Sequence, residues 1–262
     1  MGPFWSAPAP VVTLLHEVTG PRAILFDFGG TLDLASHWLD RFLGCYRAAG
    51  LELHREEFDK AFTDATRLGY AQPGSLNSLG LAGLTEFLVG KQFEYLQAAG
   101  PDAVRESLEQ MGREGRARLA GLIVGDFVEQ TFAGLKRSRR ILEELKPRFK
   151  LGVVSNFYGN LEIVLAEARM EKLIDVALDS TRVGIFKPDP RIFELALARL
   201  QVAAREAAMV GDSLAKDCVP AHRLGMRTIL IDAGNRGPKD VETPGVPDRK
   251  IGSLDELLAI RW

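Results

Sequence analysis

The chain has 262 residues, of which 46% are hydrophobic, and its formal net charge is −2. This length and composition suit one large or two modest domains with a full-sized core. Lysine and arginine residues are interspersed with acidic ones, so no nucleic-acid partner is expected. No apolar stretch approaches the ~18 residues that span a bilayer, so no membrane partner is expected either. A monomer or a homodimer fits this surface.

Two features of the sequence bear on the cellular location of the protein. Cys45 and Cys218 are the two cysteines of the chain, too few for a disulfide framework, which favours a reducing cytoplasm. Residues 1–20 contain prolines and lack a basic region before their short apolar part. We interpret them as an N-terminal extension rather than as a signal peptide.

The first predicted element is a strand at Ala23–Phe26, which ends in a glycine turn. From residue 36 to residue 136, apolar side chains recur at helical spacing and predict helices only. Glycine-rich breaks at 69–74 and 99–100 separate these helices, and Pro101 opens a further one.

From residue 137 the pattern changes to short strands that alternate with helices. Strands are predicted in LGVVS, VALDS, AAMVGD and RTILID, and a closing helix in SLDELLAI. Such alternation predicts a parallel sheet with helices on both faces. The fold class is therefore α/β, with a core formed by residues 21–35 and 137–262. An all-helical domain, residues 36–136, is inserted after the first strand.

Polar residues follow four of the apolar stretches. They are Asp27-Phe28-Gly29-Gly30-Thr31, Ser155-Asn156, Lys187 in GIFKPDP, and Gly211-Asp212-Ser213 with Asp217. Each group alone is weak evidence, because aspartate and serine often cap the helix that follows a strand. In open parallel sheets, however, binding sites lie beyond the carboxyl ends of the strands. The four groups together therefore predict one site.

The same segments resemble the haloacid dehalogenase (HAD) superfamily of hydrolases, which are mostly magnesium-dependent phosphatases. DFGGTLD, VVSN, the lysine of GIFKPDP and VGDSLAKD match the four motifs of that family in order. The resemblance extends over the chain from about residue 20. It implies a Rossmann-like core, a helical cap domain that closes over the substrate, Mg²⁺ as cofactor and a small phosphorylated molecule as substrate.

Phosphoryl transfer needs an in-line nucleophile together with donors or positive charge around the phosphate. Asp27 is the candidate nucleophile, forming an aspartyl-phosphate. The backbone amides of Gly29, Gly30 and Thr31 can form an anion-binding nest. Ser155 can donate to a phosphate oxygen, and Lys187 can neutralise both phosphate and nucleophile. Asn156 either orients the substrate or satisfies backbone donors.

Asp27 and Asp212 also suit Mg²⁺, which prefers carboxylate oxygens together with waters. Asp217 either holds a metal-bound water or orients Lys187. By analogy with the family, the third protein ligand is the backbone carbonyl of Gly29. A carbonyl survives a change of side chain, so Gly29 need not abolish metal binding.

Gly29 also marks a departure from the family, whose phosphatases usually have an aspartate two residues after the nucleophile. Losing such an acid–base group typically removes ~10²–10⁴ in rate. His37 is a candidate substitute and a candidate substrate-binding residue, although it can instead cap the first inserted helix. Asp33 can either reach the site or act as a turn or helix-capping residue. His16, His54 and His222 are expected at the surface or on helices.

The leading hypothesis is a cytoplasmic, Mg²⁺-dependent phosphatase of a small phosphorylated metabolite. Without the usual aspartate, such a phosphatase would act on a good leaving group or use a substitute acid. Alternatives are a catalytically silent relative that binds a ligand or partner, a phosphotransferase, and a phosphonatase-like enzyme that uses Lys60 or Lys91. Dehalogenases of the family lack the metal-binding acid, so the presence of Asp212 and Asp217 disfavours that activity.

Overall fold

A computed structural model describes residues 20–72, 74–232 and 243–262. Its centre is one six-stranded parallel sheet in the order β3-β2-β1-β4-β5-β6. The strands are β1 Ala23–Phe26, β2 Lys150–Ser155, β3 Val176–Asp179, β4 Ala207–Gly211, β5 Arg227–Ile231 and β6 Arg249–Ile251. The predicted strands are thus confirmed. Residues 1–19 of the predicted N-terminal extension, residue 73 and residues 233–242 lie outside the described residues.

Strand β1 is central because β2 pairs with one of its edges and β4 with the other. All four of its side chains are buried. Ile24 and Phe26 belong to one apolar cluster, and Ala23 and Leu25 belong to another. A parallel strand covered on both faces is expected to read as a continuous apolar run, as AILF does.

Helices cover the sheet and fill the inserted segment. The inserted segment contains α1 Trp38–Ala48, α2 Arg55–Tyr70, α3 Leu81–Ala99, α4 Asp102–Gln110 and α5 Gly112–Leu145. The later helices are α6 Leu161–Glu167, α7 Ser180–Val183, α8 Arg191–Leu200 and α9 Val219–Arg223, and the closing turn is a 3-10 helix, Leu254–Ala259. In the described part of the chain, no helix is long and apolar enough to cross a membrane.

Helix α5 joins the inserted segment to the sheet. It runs without a break through the predicted domain boundary at 136–137. Its buried side chains lie in the same apolar cluster as Ile24 and Phe26. The helical segment and one face of the sheet therefore share a core. The division into domains stays a prediction.

Asp33 fixes the turn that follows β1. Its side chain is fully buried and accepts hydrogen bonds from the amides of Gly30 (2.7 Å) and Leu34 (2.8 Å) and from Trp38 Nε1 (2.6 Å). It also forms an ion pair with Arg41. Burial raises the pKa of Asp33, and the charge of Arg41 opposes that shift. The turn interpretation of Asp33 is confirmed.

Arg41 carries this connection to α5. Its guanidinium donates to Thr131 Oγ1 at 2.5 Å and lies over the ring of Phe127, 4.4 Å from the centroid. Ser138 donates to the carbonyl of Leu32 at 2.6 Å. A Cβ atom at Gly134 would overlap the carbonyl oxygen of Asp33. The backbone of α5 at Gly134 therefore packs directly against the backbone of the turn after β1, with no room for a side chain between them.

Gly134→Ala should destabilise the protein, because overpacking a tight contact typically costs about 1–3 kcal/mol. Gly125→Ala is the matched control, since a Cβ atom there meets nothing within 4 Å in the same helix. Alanine at that position should stabilise by roughly 0.5–1 kcal/mol. Urea unfolding measures both changes. Equal stabilisation by the two substitutions would contradict the close approach of α5 to the turn.

Asp33→Asn should cost about 3–5 kcal/mol of unfolding free energy, because it leaves Arg41 buried without its counter-charge. Asp40→Asn breaks the half-exposed pair with Arg55 and should cost less than about 1 kcal/mol. Denaturant titration compares the two variants. A cost below 1 kcal/mol for both would show that the buried pair does not hold the turn.

Candidate active site

The carboxyl ends of β1, β2 and β4 meet beside one cavity of about 870 Å³. The lining includes Asp27 after β1, Ser155 and Asn156 at the end of β2, Lys187, and Asp212 and Asp217 after β4. All these strands are parallel, but the chain order runs outward from β1 on both sides, to β2 and β3 at one edge and to β4, β5 and β6 at the other. Binding sites form at such switch points in parallel sheets. The four predicted groups are thus brought together.

Lys187 links two of the predicted carboxylates. Its Nζ donates to Asp27 Oδ1 at 2.7 Å and to Asp217 Oδ1 at 2.5 Å, and all three side chains are buried. Burial alone lowers the pKa of Lys187, but Asp217 and Asp27 outweigh it, so this pKa lies above its ordinary value. Lys187 is therefore a fixed positive charge beside Asp27.

Asp212 brings a third carboxylate to the same place. One carboxylate oxygen from each of Asp27, Asp212 and Asp217 lies within 4.8 Å of the others. Burial, followed by the charge of Asp27, raises the pKa of Asp212 well above its ordinary value. Burial also raises the pKa of Asp217, against the opposing charge of Lys187. Three carboxylates beside one ammonium group form a site that favours an added cation, and oxygen donors suit Mg²⁺.

Glycines allow this close packing. Gly30 has a φ of +81°, a left-handed conformation that favours glycine. A Cβ atom at Gly30 would overlap the carboxylate of Asp212, and one at Gly211 would overlap that of Asp217. The amide of Gly30 donates to Asp33, so it is already engaged as a donor. One of the three amides of the predicted anion-binding nest is therefore engaged within the protein.

Thr31 and Ser155 carry the two hydroxyl groups among the predicted donors. The hydroxyl of Thr31 is buried and has no hydrogen-bond partner among the described residues. Ser155 is buried at the end of β2 and lines the cavity. Thr31 is absent from the described lining residues, so only Ser155 lies where its predicted donor role requires it, and both roles stay predictions.

Asn156 satisfies backbone groups, the second of its two predicted alternatives. Its Oδ1 accepts from the amide of Lys187 at 2.8 Å, and its Nδ2 donates to the carbonyl of Lys187 at 3.0 Å. Tyr70 on α2 donates to the carbonyl of Asn156 at 3.2 Å. Asn156 thus positions Lys187 and joins it to the helical segment, and its side-chain amide is engaged on the protein.

His37 caps α1, as the alternative interpretation holds. Its Nδ1 accepts the amide of Leu39 at 3.2 Å, so the neutral ring carries its proton on Nε2. Burial and the charge of Lys216 lower the pKa of His37 and favour the neutral ring. The ring lines the cavity with its edge towards Phe62. His37 can donate a hydrogen bond there, but this tautomer has no free nitrogen lone pair to accept a proton.

The remaining candidates lie apart from the strand ends. His54 and His222 are exposed on α2 and α9 as expected, and His16 lies outside the described residues. Lys60 is on the cavity wall. Lys91 forms an ion pair with Glu94 at 2.7 Å and is absent from the described lining residues. A phosphonatase-like role therefore has one candidate lysine rather than two.

Sequence reasoning missed much of the wall opposite Asp27. One face of α2 lines the cavity through Thr63, Thr66 and Tyr70. The ring of Tyr158 stacks on Tyr70, with 4.8 Å between the centroids. Gly69 allows this contact, since a Cβ atom there would lie 2.8 Å from the Tyr158 ring. The sequence did contain a signal, since Thr63, Thr66 and Tyr70 are spaced so as to share one face of a helix. That spacing does not show that the face lines a cavity.

Comparison with known proteins agrees with this arrangement. The model of the haloacid dehalogenase-like hydrolase family matches residues 21–225. A phosphoserine phosphatase of Thermus thermophilus is 31% identical over 252 residues, 94% of each chain. A glyceraldehyde 3-phosphate phosphatase of Methanopyrus kandleri is 33% identical over 168 residues, 58% of this chain and 68% of the relative.

A solved dehalogenase structure with an intermediate complex has a TM-score of 0.58 and 19% identity, covering 92% of this chain and 96% of the other. This likeness concerns the fold alone. Because the family model covers most of the chain and both relatives are phosphatases, the chain belongs to the haloacid dehalogenase-like hydrolases and is an enzyme of the phosphatase type.

Proposed function

We propose that this protein is a Mg²⁺-dependent phosphatase of a small phosphorylated metabolite and that Asp27 is its nucleophile. The observation that carries the proposal is the buried contact of Lys187 with both Asp27 and Asp217, beside Asp212, at the base of the cavity. The ammonium group of Lys187 places a positive charge beside the carboxylate that would attack phosphorus. The same ammonium group lies where the phosphate of a substrate would add negative charge.

Each remaining residue has a role around the phosphoryl group. Asp27 attacks phosphorus and becomes an aspartyl-phosphate, which water then hydrolyses. Ser155 donates a hydrogen bond to a phosphate oxygen, and Asn156 positions Lys187. The Nε2–H of His37 donates to the substrate from the cavity wall. These assignments follow from position and chemistry.

Asp27, Asp212, Asp217 and the carbonyl of Gly29 would hold the metal ion. The three carboxylates converge to within 4.8 Å, which is the donor chemistry that Mg²⁺ prefers. When bound, the ion supplies positive charge against the phosphoryl oxygens. Asp217 has a second role here, because it orients Lys187 through the 2.5 Å contact.

The substrate class follows from the relatives and from the cavity. Phosphoserine and glyceraldehyde 3-phosphate, named for the two relatives, are small phosphorylated metabolites. A cavity of about 870 Å³ accommodates molecules of that size. We propose that the helical segment acts as the cap that sets specificity through α2. We also propose a cytoplasmic location, consistent with Cys45 and Cys218, which are buried and not joined by a disulfide.

Asp27→Asn should lower phosphate release by about 10⁴-fold or more, since it removes the nucleophile. Asp102→Asn changes an exposed carboxylate on α4 and should leave the rate unchanged. Phosphate release from 4-nitrophenyl phosphate with Mg²⁺ compares the variants, and circular dichroism checks that both are folded. Wild-type rates in Asp27→Asn would refute the nucleophile assignment.

Asp212→Asn should weaken Mg²⁺ binding by about tenfold or more, because even second-sphere changes cost 10–100-fold at metal sites. Isothermal titration calorimetry of the folded protein with Mg²⁺ measures this without reference to activity. Chelation should abolish turnover of the wild-type enzyme, and added Mg²⁺ should restore it. Unaltered Mg²⁺ affinity in Asp212→Asn, with normal affinity in Asp102→Asn, would place the metal elsewhere.

A further inference from the structure

The space next to position 29 is occupied by Trp38. A Cβ atom at Gly29 would lie 3.1 Å from Trp38 Nε1. This nitrogen donates its proton to Asp33 at 2.6 Å, and the indole ring contacts Phe127, Phe157 and Tyr158. A side chain at position 29 would need the indole to move, and the indole is held on several sides. The wall beside position 29 is therefore formed by the indole ring of Trp38, and Gly29 itself offers no proton donor to the cavity that it lines.

The titratable groups nearest to this place are committed to other contacts. Asp33 is fully buried and accepts from four donors, which fills the acceptor positions of a carboxylate. Tyr70 donates its proton to the carbonyl of Asn156. His37 is held neutral with its proton on Nε2 by the amide of Leu39, and a neutral imidazole N–H is a very weak acid.

Asp212 and Asp217 also line the cavity, and the proposed function assigns them to the metal ion; among the described residues, the other acidic side chains of the lining are on α1, on α2 and after β5. Asp40 pairs with Arg55 at 2.8 Å, and Glu57 accepts the amide of His54 at 3.0 Å. Glu56 and Asp59 are on α2, and Asp232 follows β5, a strand that is not adjacent to β1. A proton from any of these carboxyl groups would have to come from outside the strand ends that hold Asp27.

We infer that this enzyme takes phosphate compounds whose leaving oxygen departs without receiving a proton from the protein. Such compounds are acyl, enol and aryl phosphates, phosphoanhydrides, and esters that carry an ammonium group of their own beside the ester oxygen. The inference rests on the proposed role of Asp27 as nucleophile and names the substrate class of the same site.

The first step then balances without an acid. The carboxylate of Asp27 forms a bond to phosphorus, and the bond from phosphorus to the leaving oxygen breaks. The electron pair goes to that oxygen, so the products are the aspartyl-phosphate and a free anion, which takes a proton from water or from its own ammonium group. In the second step, water and the aspartyl-phosphate give the carboxylate of Asp27 and dihydrogen phosphate. Lys187, which contacts Asp27, retains its proton throughout.

The test measures the first step alone, with Mg²⁺ present. Burst release of the phenol is followed for 4-nitrophenyl phosphate and 4-methylphenyl phosphate, two substrates of similar size but different leaving-group basicity. Acetyl phosphate tests an acyl leaving group. Phosphoserine and N-acetylphosphoserine test an internal ammonium group, since acetylation removes it. Single-turnover phosphorylation of the protein, followed by intact mass, covers the three substrates without a chromophore.

We expect phosphorylation by 4-nitrophenyl phosphate and by acetyl phosphate to be about 10²-fold or more faster than by 4-methylphenyl phosphate or N-acetylphosphoserine, the size of a missing acid. A faster reaction of phosphoserine than of its N-acetyl form would support the ammonium route. Asp59→Asn and Asp232→Asn should show the same leaving-group dependence as the wild-type enzyme.

Similar rates across the series would overturn the inference while leaving the phosphatase proposal intact. A weak dependence that becomes steep in Asp59→Asn or Asp232→Asn would also overturn it and would identify the acid. Failure of every substrate to phosphorylate a folded protein that binds Mg²⁺ would refute the nucleophile assignment and, with it, this inference. The three results are distinguished by which substrates, and which variants, form the aspartyl-phosphate.

Discussion

The buried carboxylate of Asp33 is the constraint on which the rest of the site depends. It ties the amide of Gly30, the indole of Trp38 and the guanidinium of Arg41 to one point, and Arg41 carries the link to Thr131 on α5. A buried ion pair is a weak source of net stability, but removing one partner is costly. We regard its effect as geometric: it fixes the turn that follows Asp27 and holds the indole of Trp38 beside Gly29.

The three carboxylates at the strand ends explain the rest of the chemistry. Their charges repel, and burial raises the pKa values of Asp212 and Asp217. Lys187 offsets part of that charge through its contacts with Asp27 and Asp217. A substrate phosphate would add further negative charge, which is the reason that the proposed function places a cation beside Lys187.

The helical segment supplies both stability and the cavity wall. Its apolar side chains belong to the same cluster as one face of the sheet, while α2 turns Thr63, Thr66 and Tyr70 towards the cavity. Tyr70 contacts the carbonyl of Asn156, which in turn holds Lys187. A movement of α2 would therefore alter the surroundings of Lys187 as well as the volume of the cavity. Trp38 also has two roles, because its ring packs in the apolar core and forms the wall beside Gly29.

The sequence by itself determined the parallel sheet, the helical insertion and the set of residues at the strand ends, because the apolar periodicity of each element is a local pattern. It also allowed the roles of His37, Asp33 and Asn156 to be framed as alternatives between chemistry and capping. Only the tertiary structure decided between them, since each choice depends on which groups the side chain meets: Asn156 meets Lys187, Asp33 meets Trp38 and Arg41, and His37 meets the amide of Leu39. Hydrogen-bond partners and occupied space are properties of the packed molecule. No spacing rule in the sequence could have placed an indole ring beside Gly29.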